Sequence, residues 1–249
     1  MSTRDIVQDI VKHTAGLGFI TSVKVTGTNE ETTLDAMDAD RTVILQAKLH
    51  NTVEEFNGEF GLGNLGFLAG VSALGNYQAD DAKVEVVTRE RNGVTVPDHL
   101  MFRDVEGNTD QYRFMSKEII EQTLQTVKFK GVEWDVTFEP TKAKVNELQQ
   151  VAGIYGGIEP NFTVKTVDGN LVITVGAQDG SFTGKRTFAQ NVNGEITEGY
   201  AWPLAQVLAI LKLGMSGTCV MQISKKGALM ISVDSGIGKY DYILPALTV

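Results

Sequence analysis

Two hydrophobic periods alternate along the chain. STRDIVQDIVKHTAGLG places Ile6, Val7, Ile10 and Val11 at the i, i+3, i+4 spacing of an amphipathic helix, with Ser2 or Thr3 able to cap its start and Gly16 or Gly18 to stop it. FITSVKVTG, RTVILQAKL and KVEVVTRE alternate apolar and polar residues with the period of strands, and Gly, Asn and Asp stand at the joints. LGNLGFLAGVSAL returns to helical spacing through Leu62, Leu65, Leu68 and Val71 and predicts a short helix despite its glycines.

The same order then recurs. EPTKAKVNELQQVAGIYGG starts a helix at Pro140 and Thr141, lines one face with Val145, Leu148, Val151 and Ala152, and ends in glycines. FTVKTVDGNLVITVGA predicts a hairpin turning at Asp168 and Gly169. WPLAQVLAILKLG supplies a short helix with Leu204, Val207, Leu208 and Leu211 inward, and TCVMQISKKGALMISVDSGIGKYDYIL closes with strands. Its ending echoes DHLMFRDVEGNTDQYRFM from the first half, so the halves match element for element.

Leu62 and Leu204 lie 142 positions apart but Leu100 and Leu229 only 129, which leaves a 13-residue excess in the first half around VVTRERNGVTVPDH. A surface hairpin absorbs such an insertion at little entropic cost. A period of about 130 residues exceeds the roughly 20 to 50 of solenoid repeats and fits two copies of one domain. Between the copies no Gly/Ser-rich linker occurs, and VKFKGVEWDVTFEP alternates like an extended strand. This favours domains joined in one continuous sheet over loosely tethered ones.

With 249 residues and 42% hydrophobic content, the chain can bury one large core or two smaller ones. No run approaches the roughly 20 apolar residues of a membrane span, and Asp5, Asp9 and Lys12 fall inside what would be the apolar part of a signal peptide, which predicts a cytosolic protein. The single cysteine, Cys219, sits in the apolar run TCVMQIS and reads as a buried, reduced thiol. A net charge of −9 argues against nucleic acid as a partner on average. It does not do so if the cations are gathered on one face.

The motifs that could carry chemistry lack their context. Gly61, Gly63 and Gly66 spell G-x-G-x-x-G, with Asp80 and Asp81 downstream, but the preceding TVEEFNGEF is too acidic for the buried strand a dinucleotide site needs. Asp35, Asp38 and Asp40 in DAMDADR lack the central glycine and final glutamate of a calcium loop and read as a solvated turn leading into a strand. His13, His50 and His99 have no metal-ligand spacing and no nucleophile elbow beside them. The expectation is a non-enzyme with no cofactor and no metal.

Two similar domains, each with an amphipathic helix, a strand group, a short apolar helix and closing hairpins, resemble the DNA sliding clamps, the processivity factors of replicative polymerases. ALMISVDSGIGKYDYILPA is similar to the last hairpin of clamps from large tailed bacteriophages and, in outline, to that of proliferating cell nuclear antigen. TKAKVNELQQVAGI resembles the start of their second domain. The resemblance implies an α+β fold of two clamp-type domains, 1–115 and 132–249 with a connector at 116–131, and helices on one face of curved antiparallel sheets. It further implies a homotrimeric ring around double-stranded DNA without sequence preference. A clamp loader and the replicative DNA polymerase would be its partners, in the host cytoplasm if phage-encoded.

Sliding needs cations near the phosphates and no readout of bases. The helices carry Arg4 and Lys12 on the first, Lys142 and Lys144 at the start of its counterpart, and Lys212 at the end of the second half's short helix. The blander reading is ordinary solvated helix-face charge. The resemblance also implies an apolar pocket for partner tails, from Val127 and Phe129 on the connector with Tyr242, Leu244 and Pro245 at the end; the blander reading of these is core. The competing functional class is a duplicated β-rich structural or assembly protein of a virion with no DNA role.

Overall fold

The computed structural model describes residues 2–91, 93–124, 129–177 and 180–247. In the first repeat, α1 (Thr3–His13) is followed by strands β1 (Val23–Gly27), β2 (Thr32–Met37), β3 (Ile44–Leu49) and β4 (Gly58–Leu62), then α2 (Leu65–Ser72) and the single turn α3 (Gly75–Gln78). Strands β5 (Lys83–Arg91), β6 (Val94–Arg103) and β7 (Thr109–Arg113) come next, then the two-residue β8 (Met115–Ser116), α4 (Lys117–Thr123) and β9 (Val136–Phe138). The second repeat runs α5 (Lys142–Tyr155), β10 (Asn161–Val167), β11 (Asn170–Gly176), β12 (Thr183–Ala189), β13 (Ala201–Pro203), α6 (Leu204–Gly214), β14 (Thr218–Ser224), β15 (Ala228–Asp234) and β16 (Gly238–Pro245).

The duplication extends to the pairing of strands. In the first repeat the neighbours run β4-β1-β2-β3, and in the second β13-β10-β11-β12. The closing strands run β5-β6-β7 in one and β14-β15-β16 in the other, the pairing being antiparallel throughout the registers that define both repeats. β3 therefore matches β12 and β7 matches β16, while β8 and β9 lie outside the repeated pattern. Part of the 13-residue excess lengthens the β5–β6 hairpin, whose strands span nine and ten residues against seven and seven in β14 and β15.

Packing divides the chain into two compact units with exchanged segments. The first comprises 1–39, 45–127 and 236–240; the second comprises 40–44, 128–235 and 241–249. In the first unit, α1 packs on α2 and β5 and buries Ile6, Val7 and Ile10. Phe60 stacks on Phe114 at 4.4 Å and meets Phe56 edge-on at 5.5 Å. In the second unit, α5 packs on α6 and β11, and the buried Trp202 donates its indole N–H to the Leu244 carbonyl at 3.1 Å. Each fully buried side chain of this kind contributes about 1.5–3 kcal/mol, which makes these rows the main source of stability.

Local chemistry explains the boundaries. Ser2 caps α1 in a capping box with Asp5, so the serine oxygen accepts from the Asp5 amide and the Asp5 carboxylate from the Ser2 amide. Thr141 caps α5 by accepting from the Lys144 amide at 3.3 Å. The β10–β11 turn sets Asp168 at φ 50 and Gly169 at φ 74, the two left-handed positions a tight hairpin demands and that Asp-Gly supplies.

Several expectations need correction. DAMDADR is a solvated turn leading into a strand only in its second part: Asp35 lies within β2 and Asp38 is buried, whereas Ala39, Asp40 and Arg41 are exposed ahead of β3. Leu62 ends a strand rather than joining the helix, which starts at Leu65. Within VKFKGVEWDVTFEP the described residues pair only at Val136–Phe138, and α4 stands in the segment expected to be a connector. A strand, β4, does precede G-x-G-x-x-G. It pairs antiparallel with β1 and β8, however, whereas a dinucleotide site needs a parallel βαβ unit, and the sulfur of Met115 closes over Gly63.

Candidate nucleic-acid interface

Lys142 and Lys144 occupy the first turn of α5, which contains no acidic residue. The aligned peptide dipoles give a helix N-terminus a partial positive charge, so two cations there are disfavoured by about 0.3–1 kcal/mol each unless an anion joins them. Lys142 is exposed, whereas Lys144 is half-buried and reaches Glu147 at 2.7 Å. The other Glu147 oxygen lies 3.7 Å from Nε of Arg186 on β12. Arg186 was not a candidate in the sequence because it sits on a strand; its only signal is the basic pair in TGKRTFA.

Lys12 and Lys212 are exposed and lie in the last turns of α1 and α6. There a cation complements the dipole, so helix stability alone accounts for them. Arg4 is half-buried and its guanidinium donates to the carbonyl oxygen of Ala79, tying α1 to the end of α3. Of the five basic candidates, Lys142 and Lys144 are the pair that the helix does not itself require.

The pocket candidates separate similarly. Val127 lies outside the described residues. Phe129 is half-buried against Trp134, with ring centroids 6.1 Å apart, and Pro245 is exposed. Tyr242 and Leu244 are 0% exposed, so both belong to the core of the second unit and not to a surface groove. They lie with Ile243 in a run of three buried residues on β16, and the Leu244 carbonyl is the acceptor for Trp202.

The remaining buried polar groups serve the fold. His13 stacks on Tyr240 at 4.1 Å, and the Tyr240 hydroxyl donates to Asp9 at 2.7 Å. Burial outweighs the attraction of Asp9 and depresses the His13 pKa to about 4, which leaves the ring neutral at physiological pH. Burial pushes the Cys219 thiol up to about 11, well outside the range of a reactive thiolate. Among the described residues no group of three His, Cys, Asp or Glu is placed to hold a metal ion, and no helix is long and apolar enough to cross a membrane.

No protein-family model and no curated protein sequence matches the chain. Solved structures do. A. fulgidus PCNA bound to the C-terminal region of FEN-1 superposes with a TM-score of 0.71 at 10% identity, over 100% of this chain and 97% of that one. PCNA from Thermococcus kodakaraensis gives 0.68 at 11% over 99% and 98%, and the PCNA2–PCNA3 complex from Sulfolobus tokodaii 0.67 at 13% over 99% and 97%. The chain therefore has the α+β sliding-clamp fold of PCNA along its whole length. At such identities the likeness speaks for the fold alone.

Proposed function

We propose that this chain is a DNA sliding clamp: a homotrimeric ring that encircles duplex DNA without reading its sequence, is placed there by a clamp loader, and tethers the replicative polymerase. The observation that carries this reading is the duplicated clamp fold, matched over 97–100% of both chains. The start of α5, where Lys142 and Lys144 join the positive end of the helix and only Lys144 is paired, with Glu147, supports it further, because a phosphate there suits the helix end. Its role is to hold and not to catalyse, in the cytoplasm where a replicating polymerase works. The functional domains are 1–115 and 132–249, with 116–131 as connector.

The A. fulgidus clamp holds the C-terminal region of FEN-1. By the same logic this chain receives short partner tails at the connector, where Phe129 and Pro245 provide the contacts and Tyr242 and Leu244 the buried support. Phe129→Ala with Pro245→Glu is expected to reduce polymerase stimulation while DNA retention stays unchanged. Truncation after Tyr242 is the poorer probe, since it removes the buried Ile243 and Leu244 from the core.

The primary test is loading onto nicked circular DNA followed by gel filtration. Retention on the circle, release on linearisation and rapid sliding off linear DNA are expected. Equal retention on linear and circular DNA would mean ordinary surface binding, and no retention with loader and ATP present would remove the clamp reading.

A further inference from the structure

A cavity of about 520 Å³ lies within the first unit, where the turn after α1, the entry to β1 and the start of α2 meet Met115 of β8 and Thr123 of α4. Its volume suits a small organic ligand. No Lys, Arg, His, Asp or Glu stands in its wall among the described residues. Its polarity therefore comes from hydroxyls, amides and one helix end.

Two donors in this wall are left without acceptors. Ser22 is only 8% exposed, yet its hydroxyl makes no hydrogen bond among the described residues. It precedes β1 on the side of the strand that carries Lys24, away from the core-facing Val23, and so turns toward α4, where Lys24 meets Glu121 and Thr123 ends the helix. A buried hydroxyl in that position is unfavourable until something accepts its proton. The hydroxyl of Ser72 is also buried without a partner, but it borders a space too small for a water molecule.

The second donor is the Gly66 amide. Asn64, at φ 51, stands at the head of α2 and makes no side-chain cap. The Thr21 carbonyl accepts from the Leu65 amide, and the Asn64 carbonyl accepts from the amides of Phe67 and Leu68. This leaves the Gly66 N–H in the first turn with no acceptor among the described residues, and the space beside Gly66 is open. No acid occupies that turn, so the partial positive charge at the start of this eight-residue helix is unanswered.

Two donors beside a positive helix end suit an acceptor with a single negative charge. A phosphate dianion calls for a cation, which the wall lacks. Ile20, Leu65 and Met115 add apolar contact, and the flexible thioether of Met115, seated over Gly63, can adapt to the shape of what enters. We propose that this cavity binds a small carboxylic acid with a short apolar body, its carboxylate accepting from the Ser22 hydroxyl and the Gly66 amide and its body lying against Ile20 and Met115. The same chemistry is offered by a free acid and by the last residue of a polypeptide. The site lies wholly in the first unit and stands apart from the clamp reading.

The test titrates the full chain with N-acetyl-leucine and follows its backbone amide resonances by NMR. Saturable shifts at Ser22 and Gly66 are expected, with a Kd below about 10 mM. N-acetyl-leucinamide, which lacks the charge, and inorganic phosphate should each bind at least about tenfold more weakly. Ser22→Ala should weaken N-acetyl-leucine by about tenfold or more and leave Tm unchanged or higher, because the hydroxyl it removes has no partner in the fold. Gly66→Glu, at an exposed position with open space, should block binding by setting a carboxylate of the chain's own at the helix start. Tighter binding of a hexapeptide ending in leucine would support the site and name a chain terminus as the source; equal or weaker binding of it would support the site and name a free acid. Absence of shifts at the two residues, equal binding of the amide, preference for phosphate or for a DNA duplex, or wild-type affinity in both variants overturns the assignment. None of these results bears on retention on circular DNA, so the clamp reading stands or falls separately.

Discussion

α1 and α5 occupy the same place in the two repeats and are finished in opposite ways. α1 begins with a closed capping box, ties Arg4 to Ala79 and buries Asp9 and His13 against Tyr240. α5 begins with a lone threonine cap and two lysines, with no acid in the first turn. The first arrangement satisfies its own helix, while the second places two lysines at a positive helix end, of which Lys144 pairs with Glu147. On the proposed reading, the two copies of one fold divide their tasks, one helix keyed to stability and the other to a polyanion.

The largest expected effect falls on α5. Lys142→Glu with Lys144→Glu should reduce retention on circular DNA by at least about tenfold and flatten the dependence of log affinity on log salt by about 0.9 for each phosphate that the variant no longer neutralises. Stability should change by less than about 1 kcal/mol, because acids suit a helix start but the Lys144–Glu147 pair is lost. Unchanged retention would end the distinction drawn here between the two helices.

On α1 the next effect is one of pH. His13 takes a proton at about 6.5 when unfolded but only near pH 4 when folded, so its contribution to stability is complete above pH 6.5 and is lost as the pH falls toward 4. Tm should fall across that window, at roughly 2–4 °C for each kcal/mol lost, and His13→Gln should flatten the profile. A wild-type Tm independent of pH from 6.5 to 4 would show that the ring protonates freely in the folded protein. Opening the capping box by Ser2→Ala should cost about 1 kcal/mol in chemical denaturation without altering DNA retention.

Smallest of all, Lys12→Gln with Lys212→Gln should change retention by no more than about twofold and lower stability by about 0.3–1 kcal/mol per helix, because these cations already answer their own helix ends. A loss as large as that of the α5 pair would spread the DNA contact evenly over both repeats.

Elements set by local chemistry were legible in the sequence: the caps at Ser2 and Thr141, the Asp168-Gly169 turn, and the apolar stripes of α1, α5 and α6. Those set by distant partners were not. β2 is dominated by Thr and Asp yet forms a strand because β1 pairs with it, and β4 contains Gly58 and Gly61 but is held between β1 and β8. α4, seven residues with a single buried isoleucine, is too short to show a period. The basic candidates were visible as residue types at helix ends. That Arg4 is engaged by Ala79 and that Tyr242 and Leu244 are core depend on partners 75 and 42 positions away along the chain, beyond the reach of any local pattern.

Synthesis of this chain carries a timing constraint. The first unit incorporates residues 236–240, so α1 and its buried Asp9 wait for Tyr240, 231 positions later, before the packing around them is complete. While the ribosome is still adding the second repeat, α1 can pack on α2 and β5, but Asp9 and His13 lack their Tyr240 partner. Nascent chains stalled before residue 236 should therefore be substrates for chaperones and proteases, and the first half should gain its resistance to digestion only when the last hairpin has been made.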